Sequence, residues 1–149
     1  MKKIAISFDV EKPIDIVFRL ISDIPNYSNW VPDNSNFFIG TKMTSEGAIG
    51  LGATYVDRLR GFVTSYGEVV RYNPPDEIEL LEQKTFYGIR LFEANFCYRL
   101  KAFQEITEVS HEANARPCGV FKALSPIISI IVNSERNLTC KAIKSELEG

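Results

Sequence analysis

Residues Pro117 to Leu147 read PCGVFKALSPIISIIVNSERNLTCKAIKSEL, and their spacing decides the fold. Val120, Leu124, Ile127, Ile128 and Ile131 recur at three- and four-residue steps, which predicts one apolar face of a helix. Leu138, Ala142 and Leu147 continue a thinner stripe on the second half. Pro126 sits about one turn inside, where it removes a backbone donor and crowds the preceding turn. A kink or a fresh helix start is therefore expected near Ser125, with the Ser125 hydroxyl capping the N–H groups that follow. From Asn36 to Arg116 the chain reads as short strands joined by turns. An antiparallel sheet and one long C-terminal helix, with no other large apolar partner, predict an α+β protein whose helix lies across the sheet.

Before that sheet, Ile4, Ile6, Phe8 and Val10 alternate with Ala5, Ser7 and Asp9, a half-buried strand. Pro13 suits the first turn of a helix whose apolar face is Ile14, Val17, Phe18 and Ile21, ended by Asp23-Ile24-Pro25. Asn26 to Trp30 reads as a second helical turn stopped by Val31-Pro32-Asp33. Strands follow over 37–43, 53–60, 62–72, 77–83, 89–103 and 106–115. Gly61, Asn73-Pro74-Pro75-Asp76, Thr85-Phe86-Tyr87-Gly88 and Gln104-Glu105 mark the breaks between the later ones. No repeat, linker or low-complexity segment divides residues 1–149, so one domain is expected.

At 149 residues the chain is long enough to bury a core, and 45% hydrophobic with 24% charged residues is ordinary globular composition. The net charge of −2 and the lack of any Lys/Arg run exclude a nucleic-acid footprint. Cys97, Cys118 and Cys140 form no C-x-x-C pair, and no secretory signal precedes them: Asp9 and Glu11 end the N-terminal apolar run too early. The longest apolar segment, 119–132, holds Lys122 and Pro126 and is too short to span a bilayer. The expectation is a cytoplasmic protein with reduced thiols and no stable membrane insertion. Nothing in the sequence sets the oligomeric state.

Gly47-x-x-Gly50-x-Gly52 has the look of a phosphate loop, but Thr54-Tyr55-Val56 continues as a strand where a helix would be needed, so it reads as a turn. His111 is the sole histidine. Alternation places it with Thr107, Val109, Ala113 and Ala115 on the helix-facing side of the last strand, a wall residue first and a weak candidate for a general base second. Without a second histidine or a cysteine pair, neither a metal site nor a cofactor is expected. On the longest strand Phe92, Ala94, Phe96, Tyr98 and Leu100 face the helix, and Glu93, Asn95, Cys97, Arg99 and Lys101 face solvent. Alanines 94, 113 and 115, where a packed sheet would carry Val, Ile or Leu, leave room for a cavity. Asp57, Glu68 and Glu82 lie on strands whose inward face alternation does not decide; paired inward carboxylates would act as acid and base.

The run Asp23-Ile24-Pro25-Asn26-Tyr27-Ser28-Asn29-Trp30-Val31-Pro32 after a strand and a helix, the Gly-x-Gly turn, the corner Val69-Val70-Arg71-Tyr72-Asn73-Pro74-Pro75-Asp76 and the long helix with its early Pro126 together resemble the START and polyketide cyclase/dehydrase (SRPBCC) superfamily. The resemblance spans essentially the whole chain, and its motifs are structural rather than catalytic. It implies a helix-grip fold: a curved antiparallel sheet wrapped round the C-terminal helix, with a cavity between them. It further implies a small hydrophobic or amphipathic ligand as partner. The expected wall residues are Phe96, Tyr98, His111, Ala113, Leu124 and Ile128, with Tyr27, Phe86 and Tyr87 near the entrance. Trp30 caps the core, and Phe86-Tyr87-Gly88 is either a plain turn or a lid. Two rivals accompany this reading. One is a cyclase or dehydratase on a polyketide-like substrate, with His111 or a buried carboxylate moving protons; the other is a chaperone-like or quinone-associated interaction protein.

Overall fold

A computed structural model describes residues 3–31 and 35–149. Pro32 and Asp33, expected to stop the second helical turn, lie outside the described residues. Strand β1 (Ile4–Val10) leads into helix α1 (Ile14–Ser22), followed by a 3₁₀ turn over Ile24–Asn29. Six more strands follow: β2 (Phe38–Met43), β3 (Thr54–Leu59), β4 (Val63–Asn73), β5 (Glu77–Phe86), β6 (Ile89–Phe103) and β7 (Ile106–Pro117). A 3₁₀ turn over Gly119–Leu124 then delivers the chain into α2 (Ser125–Glu148).

The strands form one antiparallel sheet of order β1-β7-β6-β5-β4-β3-β2, so consecutive strands pair throughout except that β1 closes onto β7. Each expected strand is present. β5 runs three residues beyond Gln83 to Phe86, because Thr85 and Phe86 keep pairing with Arg90 and Ile89. The turn is thereby reduced to Tyr87-Gly88, whose φ values of 50° and 80° are what a tight hairpin requires.

The helix start near Pro126 is as expected, since α2 begins at Ser125 and the residues before it form a separate 3₁₀ turn. The expected cap is not made. The Ser125 hydroxyl donates back to the Lys122 carbonyl at 2.7 Å instead of accepting from the N–H groups ahead. The buried face of α2 also differs from the expected stripe. Ile128, Val132, Cys140, Ala142 and Ile143 are buried, whereas Val120, on the 3₁₀ turn rather than the helix, is 82% exposed. Cys97, expected at the surface, is only 5% exposed: its thiol reaches Glu77 Oε2 at 3.7 Å, and the Arg99 side chain closes on the same carboxylate at 2.8 Å.

The core joins α1, the inner faces of β3–β7 and α2. Val17, Phe18 and Ile21 pack from α1, and Thr107, Val109, His111, Ala113 and Ala115 are the buried residues of β7, as alternation predicts. α2 rests against β1 and β7. Across from α2 on the other half of the sheet, residues of β3 to β6 line a cavity. Among the described residues no helix is long and apolar enough to cross a membrane.

Candidate functional site

Between α2 and the inner faces of β3–β6 lies a cavity of about 360 Å³, within the size range of small-molecule sites, roughly 300–1,000 Å³. Its apolar wall is built by Leu80 of β5, Phe92, Phe96 and Tyr98 of β6, Phe38 of β2, and Tyr27, Trp30 and Val31 after α1. The helix contributes Ile128, Val132 and Ile143, with Leu124, Ile127 and Ile131 towards the opening. These last three are 42%, 55% and 38% exposed, which separates them from the buried Ile128. Ile127 and Ile131, expected on the packed face with Ile128, border the open side of the cavity instead, as does Leu124, expected at its wall.

Five of the nine residues expected at the site meet at this wall: Tyr27, Phe96, Tyr98, Leu124 and Ile128. His111 and Ala113 do not reach it. They lie on β7, where α2 covers the sheet directly, and pair with Tyr98 and Phe96 on the strand next to them. The His111 ring stacks on Tyr98 with centroids 4.2 Å apart and is 0% exposed. Its Nδ1 lies 3.0 Å from the Cys97 carbonyl, which only accepts, so Nδ1 carries the proton. Nε2 has no hydrogen-bond partner among the described residues. Burial first, and the charge of Arg136 second, lower the imidazole pKa to about 3. Phe86 and Tyr87 stand apart from the wall on the β5–β6 tip, where Tyr87 stacks on Phe62 of the β3–β4 tip at 5.5 Å. Tyr27 was expected as a gate; its hydroxyl donates to the Ile21 carbonyl and its ring edge meets Trp30, so it is anchored at both ends.

The polar part of the wall comes from strand register. Asp57 pairs with Ser65, Ser65 with Lys84 and Lys84 with Phe92, one inward-facing row across four strands. The adjacent row is Tyr55, Gly67, Glu82 and Ala94. Asp57 and Glu82 therefore face the cavity and Glu68 faces solvent. Gly67 is needed because the Tyr55 ring lies across it: a Cβ there would be 2.1 Å from Tyr55 Cζ. Over that gap Tyr55 Oη donates to Glu82 Oε2 at 2.6 Å, while Lys84 Nζ and Ser65 Oγ bond Oε1.

The two carboxyls are pushed apart by their surroundings. Burial works to raise the pKa of Glu82, but the Lys84 charge and the hydrogen bonds from Lys84 and Tyr55 outweigh it and hold Glu82 below its ordinary value. Asp57 accepts one hydrogen bond, from Thr41 Oγ1 at 2.6 Å. Burial and then repulsion from Glu82 raise it to about 7. The wall thus carries one carboxyl held below the ordinary glutamate value and another raised to about 7.

Arg136 of α2 completes the site, and sequence reading passed over it. Its guanidinium carbon sits 4.3 Å over the Phe96 ring, with N–H groups 3.5 Å from Tyr98 Oη and 3.3 Å from Thr139 Oγ1. The signal was present: Ile128, Val132, Arg136, Thr139 and Ile143 are spaced four, four, three and four residues apart, one continuous helical face. Among the described residues no group of histidine, cysteine or carboxylate side chains could hold a metal ion.

The sequence matches no protein-family model and no curated protein. Solved structures match over nearly the whole chain. A START superfamily protein from Mycobacterium smegmatis superposes with a TM-score of 0.74 at 11% identity, covering 98% of this chain and 97% of that one. Protein CV1439 from Chromobacterium violaceum gives 0.71 at 15% identity over 99% and 97%. CalU16 from Micromonospora echinospora gives 0.62 at 18% identity over 95% and 71%. The chain has the START-like helix-grip fold. At these identities the likeness concerns architecture.

Proposed function

We propose that this protein binds a small hydrophobic or amphipathic molecule in the cavity between β3–β6 and α2. The observation that carries the reading is the helix face itself. Leu124, Ile127 and Ile131 leave apolar surface exposed at the mouth of the cavity instead of packing it into the core, a cost in water that a bound apolar body reduces. Tyr27, Phe96, Tyr98 and Ile128 supply the rest of the apolar contact. Three free thiols, two of them buried, support a reducing compartment such as the cytoplasm. The test is titration with Prodan, a neutral naphthalene dye, followed by its blue shift. Wild type should bind and Ile131→Trp, which fills the cavity opening, should not; equal binding by both would overturn the reading.

A second reading is favoured by Asp57. A carboxyl with a pKa of about 7 on the wall of an apolar cavity, next to an ionised Glu82, suits proton transfer in a cyclisation or dehydration. In that reading Asp57, rather than His111, moves the proton, because Asp57 reaches the cavity.

A further inference from the structure

We propose that the ligand is a hydrophobic monocarboxylic acid whose carboxylate pairs with Arg136; this rests on the cavity-binding reading above. The charged groups on the wall are Asp57, Arg60, Glu82, Lys84, Glu135 and Arg136. Four of the other five are engaged or exposed. Lys84 and Glu82 bond each other, and Glu135 accepts from the Ser35 hydroxyl and from the Asn36 N–H at 3.1 Å. Arg60 is exposed on the β3–β4 tip. Asp57, its pKa raised to about 7 by burial and Glu82, carries only part of a charge near neutrality and spends its one short hydrogen bond on Thr41.

Arg136 is the charge left over. Among the described residues no carboxylate lies within ion-pair distance of it. Two long hydrogen bonds occupy two of the five N–H groups a guanidinium carries. The Phe96 ring covers the guanidinium at 4.3 Å, and a fork with N–H groups to spare fits a carboxylate with two parallel hydrogen bonds. A neutral head group would leave the guanidinium with no bonded counter-charge, since Glu82 and Glu135 act on it only from beyond ion-pair distance. A phosphate dianion fits worse, because Glu82 and Glu135 stand on the same wall. A single negative charge on an apolar body gives Arg136 a bonded partner with the least repulsion from those two carboxylates.

The probes are three molecules with one tail: decanoate, 1-decanol and decyl phosphate, titrated at pH 7.5 by isothermal calorimetry. Wild type should bind decanoate about ten- to a hundredfold tighter than 1-decanol, and tighter than decyl phosphate. Arg136→Met should remove that preference while still binding 1-decanol, and Arg136→Lys should keep part of it. If Arg136→Met does not fold, the wild-type ranking stands alone as the test. It is backed by ¹³C NMR titration of carboxyl-labelled decanoate, whose pKa should fall on binding. Equal affinity for decanoate and 1-decanol would overturn the carboxylate assignment and leave the cavity reading intact. Tighter binding of decyl phosphate would replace carboxylate with phosphate. Failure of all three probes to bind while Prodan binds would reject the acid and keep the cavity, and failure of Prodan as well would reject both.

Discussion

Asp57 and His111 act on stability with opposite signs, and together they should make the fold insensitive to pH where either alone would not. Burial and Glu82 raise Asp57 from 3.8 to about 7, so between those values the folded chain holds a proton that the unfolded chain has lost. Stability from this group falls as pH rises through the window. Burial and Arg136 lower His111 from 6.5 to about 3, so the unfolded chain holds the extra proton and stability falls as pH drops. Each slope is about 1.4 kcal/mol per pH unit, and the two windows overlap. Glu77, Glu82 and Glu112 are all lowered from the ordinary glutamate value of 4.5 and so act only below pH 4.5, in the lower end of the overlap. Between pH 4.5 and 6.5 the pair should cancel.

Single substitutions expose each half. Asp57 faces Glu82 and Lys84 on β5, Thr41 on β2 and Arg136 on α2, while His111 faces Cys97 and Tyr98 on β6 and Arg136 on α2. Asp57→Asn keeps an acceptor for Thr41 and should lose about 3 kcal/mol between pH 6.5 and 4.5, the full effect of His111 over two units. His111→Asn keeps a donor near the position of Nδ1 and should gain a similar amount over the same interval. The double variant should be flat again. Urea denaturation at pH 4.5, 5.5 and 6.5 measures all four chains. Parallel curves for wild type and Asp57→Asn would refute the assignment of a raised carboxyl to Asp57, and with it the acid–base reading of the cavity wall.

Gly67→Ala drives a methyl into the Tyr55 ring and breaks the Tyr55–Glu82 hydrogen bond; it should cost about 1–3 kcal/mol, measured by thermal or urea unfolding. In a Tyr55→Ala background the same change should cost little, and an undiminished cost there would show that the ring is not the obstacle. A chain ending at Arg116 loses Ile128, Val132, Ala142 and Ile143 from the core and should show no cooperative thermal transition by circular dichroism.

Much of the architecture was legible because period two and period 3.6 leave different marks. β6 starts and ends where alternation places it, Ile89 to Phe103, and of the inward set Phe92, Ala94, Phe96, Tyr98 and Leu100 all but the half-buried Phe92 are buried, with Cys97 buried besides. The polar wall was illegible because its inward positions carry charge: Asp57, Glu82 and Lys84 stand where alternation leads a reader to expect apolar residues, so the stripe does not name its own face. Glu82 also follows Leu80-Leu81, two adjacent apolar residues that favour neither face. Asp57 and Glu82 could not be assigned a direction from that pattern.

The helix misled in another way. Periodicity reports which residues avoid water, and it cannot say whether they do so against protein or around a space that a ligand fills. Leu124, Ile127 and Ile131 obey the same spacing as the buried Ile128, yet they border the cavity. The distinguishing mark lay farther along the same face, where Arg136 interrupts the run from Ile128 and Val132 to Ile143. A packed core accepts a guanidinium there only with a bonded carboxylate, and the wall offers it an aromatic face, a phenol and a threonine hydroxyl instead. A cation on an apolar helix stripe with no carboxylate bonded to it is the pattern in this chain that separates a helix covering a site from a helix closing a core; alanines 94, 113 and 115, expected to leave room for the cavity, are buried in the core and do not border it.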